Sequence, residues 1–125
     1  STTLNYDIEE WNSSGDSFIW VRLPTIAASS TSVIYMYYKN SLATNGETPS
    51  TTWSGYSGVW NLDKSGANYP DATGSGKTGV PQGSVADTAG VIGNAIYLNG
   101  SSAIDVSYDL AQIIGRNSKF FAWLK

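Results

Sequence analysis

The 125-residue sequence contains no cysteine and no histidine. The first absence removes disulfides, thiol nucleophiles, thiolate zinc and iron–sulfur clusters, and it leaves the redox compartment undecided. The second removes Ser-His-Asp and Cys-His catalysis and any imidazole-held zinc or haem. Charge is scarce too: 14% of residues are Asp, Glu, Lys or Arg, with a net charge of −3. The seven basic residues are scattered along the chain, so no stripe exists to follow nucleic-acid phosphates. No apolar run approaches the ~20 residues of a membrane helix, and membrane insertion is not expected. The opening Ser1-Thr2-Thr3 has neither a basic nor an apolar leader pattern, as expected of a mature or excised chain. What is present is 41% hydrophobic residues, with five Trp, eight Tyr and three Phe among abundant Ser, Thr and Gly. Such a composition describes a packed chain, not a disordered one.

Alternation is the strongest local signal. Leu4, Tyr6 and Ile8 alternate with Asn5, Asp7 and Glu9, predicting a strand with its apolar face inward. A turn cluster at Asn12–Asp16 and the β-rich Phe18–Leu23, closed by Pro24, complete a hairpin. Val33–Tyr38 has the highest strand propensity and is apolar on both faces, predicting a central strand. Residues 40–56 are turn-rich, Val59–Leu62 suggests a short strand, and 63–90 an irregular surface segment. Asn94–Leu98 and Ala103–Val106, joined through Asn99-Gly100, read as a second hairpin. A helical turn at Asp109–Ile114 ends at Gly115, and Phe120–Leu124 forms a last strand. The expected fold class is all-β: an antiparallel β-sandwich or jelly roll, one face of each strand hidden against a second layer.

Each candidate site competes with a plainer reading. Gly74-Ser75-Gly76-Lys77-Thr78 suggests a phosphate loop, but Asp71 stands where that motif needs its first Gly, and Pro81 blocks a following helix. Asp63, Asn68, Asp71 and Asp87 offer oxygens to a hard cation such as calcium. Asp71 is the candidate ligand, and solvated turn residues are the stronger reading. Asp7, Glu9 and Glu10 form the one carboxylate cluster. Asp7 and Glu9 lie about 7 Å apart by strand rise, within the range of glycosidase pairs, yet a solvent face explains them. Trp20, Tyr35, Tyr37, Trp60, Tyr97 and Trp123 fall in strands and read as packing. Trp11, Trp53 and Tyr56 fall in turn-rich stretches where burial is hardest. Trp53 and Tyr56 are therefore the candidate ligand-binding residues, suited to stack on the C–H faces of sugars.

Two blocks resemble known families. Leu4-Asn5-Tyr6-Asp7-Ile8-Glu9, Ile19-Trp20-Val21-Arg22-Leu23-Pro24 and Ile34-Tyr35-Met36-Tyr37-Tyr38-Lys39-Asn40 resemble the C-terminal half of domain of unknown function 2341, found in bacterial and archaeal surface proteins and some biopolymer-transport proteins. Lys39 stands where that family usually has Gly. Gly58-Val59-Trp60-Asn61-Leu62-Asp63, Asp71–Gly76, Gly93–Gly100 and Phe121–Lys125 are similar to the opening of a LamG-like, concanavalin A-type jelly roll, a family that often carries structural calcium. The resemblance divides the chain into residues 1–45, a linker at 46–57 and a partial jelly roll at 58–125. It implies a fragment of a larger domain, or a divergent compact relative.

The expected function is non-catalytic: an extracellular or cell-surface module, with a periplasmic setting as the alternative, for surface attachment or glycan recognition. Two alternatives stay open. One is a structural or spacer subunit that pairs with another protein chain through open sheet edges. The other is an ancillary piece of a glycoside hydrolase. No cofactor is expected beyond the calcium considered at Asp71.

Overall fold

A computed structural model describes residues 2–64, 66–106 and 121–122. The expected turn at Asp109–Ile114 with Gly115 and the packing of Trp123 lie outside the described residues; of the expected strand Phe120–Leu124 only Phe121 and Ala122 are described, both exposed and outside any strand. The fold class is all-β. Among the described residues six short strands, β1 Tyr6–Glu10, β2 Phe18–Val21, β3 Val80–Gln82, β4 Val85–Ala89, β5 Asn94–Leu98 and β6 Ala103–Asp105, form three two-stranded antiparallel sheets. The one described helix is the single turn α1, Pro49–Thr52, with Pro at its start where no N–H is needed.

The first hairpin forms as its alternation requires, with Tyr6 opposite Val21, Asp7 opposite Trp20 and Ile8 opposite Ile19. A bulge at Glu9 then breaks the register. Its covered face is not the expected one. Asp7 is 5% exposed, while Tyr6 and Ile8 are half-buried. The reason is what docks there: residues 46–57, read from sequence as a linker, lie along β1. The Thr48 N–H donates to the Tyr6 carbonyl at 2.9 Å, the Ile8 N–H donates to the Glu47 carboxylate at 3.0 Å, and the Trp53 indole reaches Asp7.

Val33–Tyr38 departs furthest from expectation. The segment belongs to no strand, and all six side chains are exposed, from 52% at Ile34 to 90% at Tyr37. Propensity for a pleated sheet is a propensity for neighbours, and among the described residues none pairs with it. Lys39, at its end, keeps the left-handed backbone (φ 63°) that glycine adopts freely. Val59–Leu62 is also not a strand, and Leu62 too is left-handed at φ 62°.

The segment expected to be irregular, 63–90, instead supplies two strands. Its partners also correct the second hairpin: β5 pairs with β4, and β6 pairs with β3. The two ladders follow one another as an antiparallel ribbon, interrupted by Gly83-Ser84 on one side and Asn99–Ser102 on the other. Gly83 has φ 71°, and a Cβ there would sit 2.9 Å from the Ser101 carbonyl oxygen. Tyr69, bridged to Gly79, is wholly buried. Its hydroxyl donates to Asp87 at 2.6 Å, and Asp87 also meets the Lys64 ammonium at 2.7 Å.

Candidate aromatic binding surface

Across an antiparallel pair, residues directly opposite share one face. Asp7 and Trp20 are such a pair, and α1 delivers Trp53 onto that face. The Trp53 Nε1–H donates to Asp7 Oδ2 at 2.7 Å, and Asn61 Nδ2–H donates to the same oxygen at 3.1 Å. The Trp53 and Trp20 ring centroids lie 5.5 Å apart at 59°, and those of Trp53 and Tyr56 5.4 Å apart at 87°. Both arrangements suit ring quadrupoles. Trp20 is 38% exposed and Tyr56 53%, with Trp53 half-buried between them. The result is a three-ring shelf. Sequence reading singled out Trp53 and Tyr56 but assigned Trp20 to packing. The missing signal was its register opposite Asp7, a carboxylate that can hold a neighbouring indole.

Polar groups fix the shelf from both sides. The bulged Glu9 accepts the Trp20 Nε1–H at 2.8 Å and lies against Gly93. Burial pushes the Glu9 carboxyl above its ordinary value; the Trp20 bond opposes this, and the nearby Asp63, Asp7 and Glu10 charges add to it. Arg22, on the chain leaving β2, donates through Nη1 to the carbonyls of Thr51 (3.4 Å), Thr52 (3.1 Å) and Ser54 (2.5 Å). Carbonyls at a helix end lack intrahelical donors, and a guanidinium satisfies them. Arg22 therefore holds in place the turn that carries Trp53, a role the sequence did not reveal. Trp11, the third aromatic read as turn-borne, is 58% exposed and stands outside these ring contacts.

A cleft of about 160 Å³ borders the shelf, lined by Asp7, Ile8, Asn61, Asp63, Pro70 and Ala72. Ligand-enclosing pockets start at roughly 300 Å³, so a ligand here would lie along the surface with only a polar group entering the cleft.

Asp71, the sequence candidate for calcium, organises a turn between Pro70 and Ala72 at the cleft. Its carboxylate accepts from the N–H groups of Val59 (3.1 Å) and Thr73 (3.0 Å) and from the hydroxyls of Thr73 (2.8 Å) and Ser75 (2.5 Å). Burial pushes its carboxyl up, but these bonds together outweigh burial and hold it below the ordinary value. Donors crowd the oxygens a cation would need, and among the described residues no three acidic side chains converge as a metal site.

Residues 1–66, more than half the chain, match the family described as a domain of unknown function, DUF2341. The chain belongs to that family. No curated protein and no solved structure matches it. The DUF2341 match spans β1, β2, α1 and all three rings of the shelf. Among the described residues no helix is long and apolar enough to cross a membrane.

Proposed function

We propose that this DUF2341 chain is a non-catalytic recognition module that attaches an extracellular or cell-surface protein to glycan. The observation that carries the reading is the Trp20–Trp53–Tyr56 shelf, whose two indole N–H groups are held by Glu9 and Asp7 while two of its rings face solvent. Pyranose rings present a C–H face that packs on such rings, and their hydroxyls donate to carboxylates of the kind that line the adjoining cleft. The lack of histidine and cysteine, and carboxylates occupied in holding indoles, favour binding over turnover. The Gly93–Gly100 motif, which lies beyond the DUF2341 match at residues 1–66, is the feature that would suit a LamG-like module following that part.

The test is a titration of the 15N-labelled chain with oligosaccharides chosen from a glycan array. Binding should shift the indole N–H signals of Trp20 and Trp53, and Tyr56→Ala should weaken affinity about tenfold, the worth of one ring contact. Tyr56 is the informative variant because its exposed ring holds no buried bond. An array without a single binder, or binding indifferent to Tyr56→Ala, would remove the glycan reading.

A further inference from the structure

The β1–β2 hairpin has two outer edges, and they are treated differently. In an antiparallel pair, alternate residues bond across the ladder and the others point their N–H and C=O outward. The Arg22 N–H bonds to the Asn5 carbonyl at 2.9 Å, which places Asn5/Arg22 and Asp7/Trp20 on the bonded register. Tyr6 and Ile8 therefore point outward on β1, and Ile19 and Val21 outward on β2. The β1 edge is occupied by Thr48 and the Glu47 carboxylate. The β2 edge is open: among the described residues nothing bonds to the outward groups of Ile19 and Val21.

The same chain carries an unpaired strand sequence, Val33-Ile34-Tyr35-Met36-Tyr37-Tyr38, uncharged, apolar on both faces and free of proline. Its six side chains are 52–90% exposed, so pairing them beside another strand would take apolar and aromatic surface out of water. An open acceptor edge and an unpaired donor are the two halves of strand addition. Both occur in every copy, so a two-fold pair would satisfy both at once and leave no donor over.

We infer that two copies of this chain associate by reciprocal strand donation, residues 33–38 of each pairing with the Ile19–Val21 edge of the other. This interaction surface adjoins the aromatic shelf, because Trp20 lies between Ile19 and Val21 on β2, but its pairing is through main-chain groups and does not depend on glycan binding. It converts the propensity of 33–38, idle in the single chain, into sheet structure in the assembly.

Sedimentation and amide hydrogen exchange on the 125-residue chain test it together. The expected result is a species of twice the 13.4 kDa chain mass, in which the Ile19 and Val21 amides exchange at least a hundredfold more slowly than in an open edge. Tyr35→Lys with Tyr37→Lys should return a monomer with both amides unprotected. Should that variant fail to fold, the wild-type measurements decide alone. A monomer at all concentrations overturns the inference, including one whose Ile19 and Val21 are protected, since the strand would then fold back on its own edge. A dimer in which both amides exchange freely overturns it as well.

Discussion

Replacing Asp7 is the sharpest perturbation of the shelf. Its Oδ2 accepts from Trp53 at 2.7 Å and from Asn61 at 3.1 Å, and the residue is 5% exposed. Hydrogen bonds to a charged acceptor contribute about 1.5–3 kcal/mol each, and the loss is larger when donors are left unmet. Trp53 and Asn61 are only half-buried, so water recovers part of the loss, and Asp7→Ala should cost about 2–3 kcal/mol. For a chain of this size that lowers the melting temperature by about 10 °C. Packing loss is separated from bond loss by a double-mutant cycle with Trp53→Phe, which deletes the indole N–H and keeps a ring. Urea unfolding followed by far-ultraviolet circular dichroism suits it, since one variant alters the fluorophore. The coupling energy should be about 1–2 kcal/mol, well above the scatter of independent sites. A coupling under about 0.3 kcal/mol, or Asp7→Ala unfolding at the wild-type midpoint, would show that Asp7 does not hold the shelf.

Further outcomes follow from single features. Gly83→Ala places a Cβ 2.9 Å from the Ser101 carbonyl at φ 71° and should cost about 2 kcal/mol or more by thermal melt. Lys39→Gly relieves a side chain of its left-handed backbone and should stabilise by about 1 kcal/mol; a fall in midpoint would contradict this. Because the folded Glu9 carboxyl titrates above its ordinary 4.5, the folded chain binds this proton more tightly than the unfolded chain. The contribution of Glu9 is therefore full below pH 4.5 and is lost as pH rises through the raised value. Glu9→Gln should flatten that decline while still accepting the Trp20 N–H; an unchanged pH profile would reject it. Asp71 and Asp87 titrate below their ordinary values, so their contributions run the other way, present above pH 3.8 and lost on acidification below it.

Much of the first hairpin was legible because alternation and a turn cluster are local signals that need nothing else. Its inward face was not. Leu4, Tyr6 and Ile8 look like the buried side, but the face is decided by what docks on it, and the docking group is a Trp delivered from residue 53 to a carboxylate at residue 7. The ribbon was only half legible for a related reason. Val85-Ala86-Asp87-Thr88-Ala89 has little strand character of its own, yet β5 holds it in a five-pair ladder. Pro81 looks like a strand breaker but is tolerated in β3, which has a partner on one side only. β5 pairs with β4 and β6 with β3, so the turn signal Asn99-Gly100 joins two ladders and closes no hairpin of its own. Trp53 and Tyr56 were singled out because aromatics in turn-rich sequence resist burial, and the structure sets their rings against each other at 5.4 Å. Trp20 and Arg22 were missed because their roles depend on register and on the end of α1.

Val33–Tyr38 links the two kinds of failure. Strand propensity measures how well a residue fits beside others on a pleat, so it predicts the need for a partner and not its presence. Lys39, at φ 63°, holds at the end of this segment a left-handed backbone that its side chain disfavours. A chain that keeps such a conformation against its side chain has a surrounding structure that over-determines it. The described contacts around residue 39 are few: a cation–π approach to Tyr38 at 5.7 Å and a turn from the Asn40 carbonyl to the Ala43 N–H at 3.1 Å. Strand pairing of 33–38 would supply the missing constraint. The Lys39→Gly gain should then be smaller in the assembled form than in the monomeric Tyr35→Lys, Tyr37→Lys background, because a strand anchored along its length already fixes the conformation at its end. Equal gains in both backgrounds would mean that the turn at 40–43 sets Lys39 by itself, and that the open segment owes nothing to its neighbour.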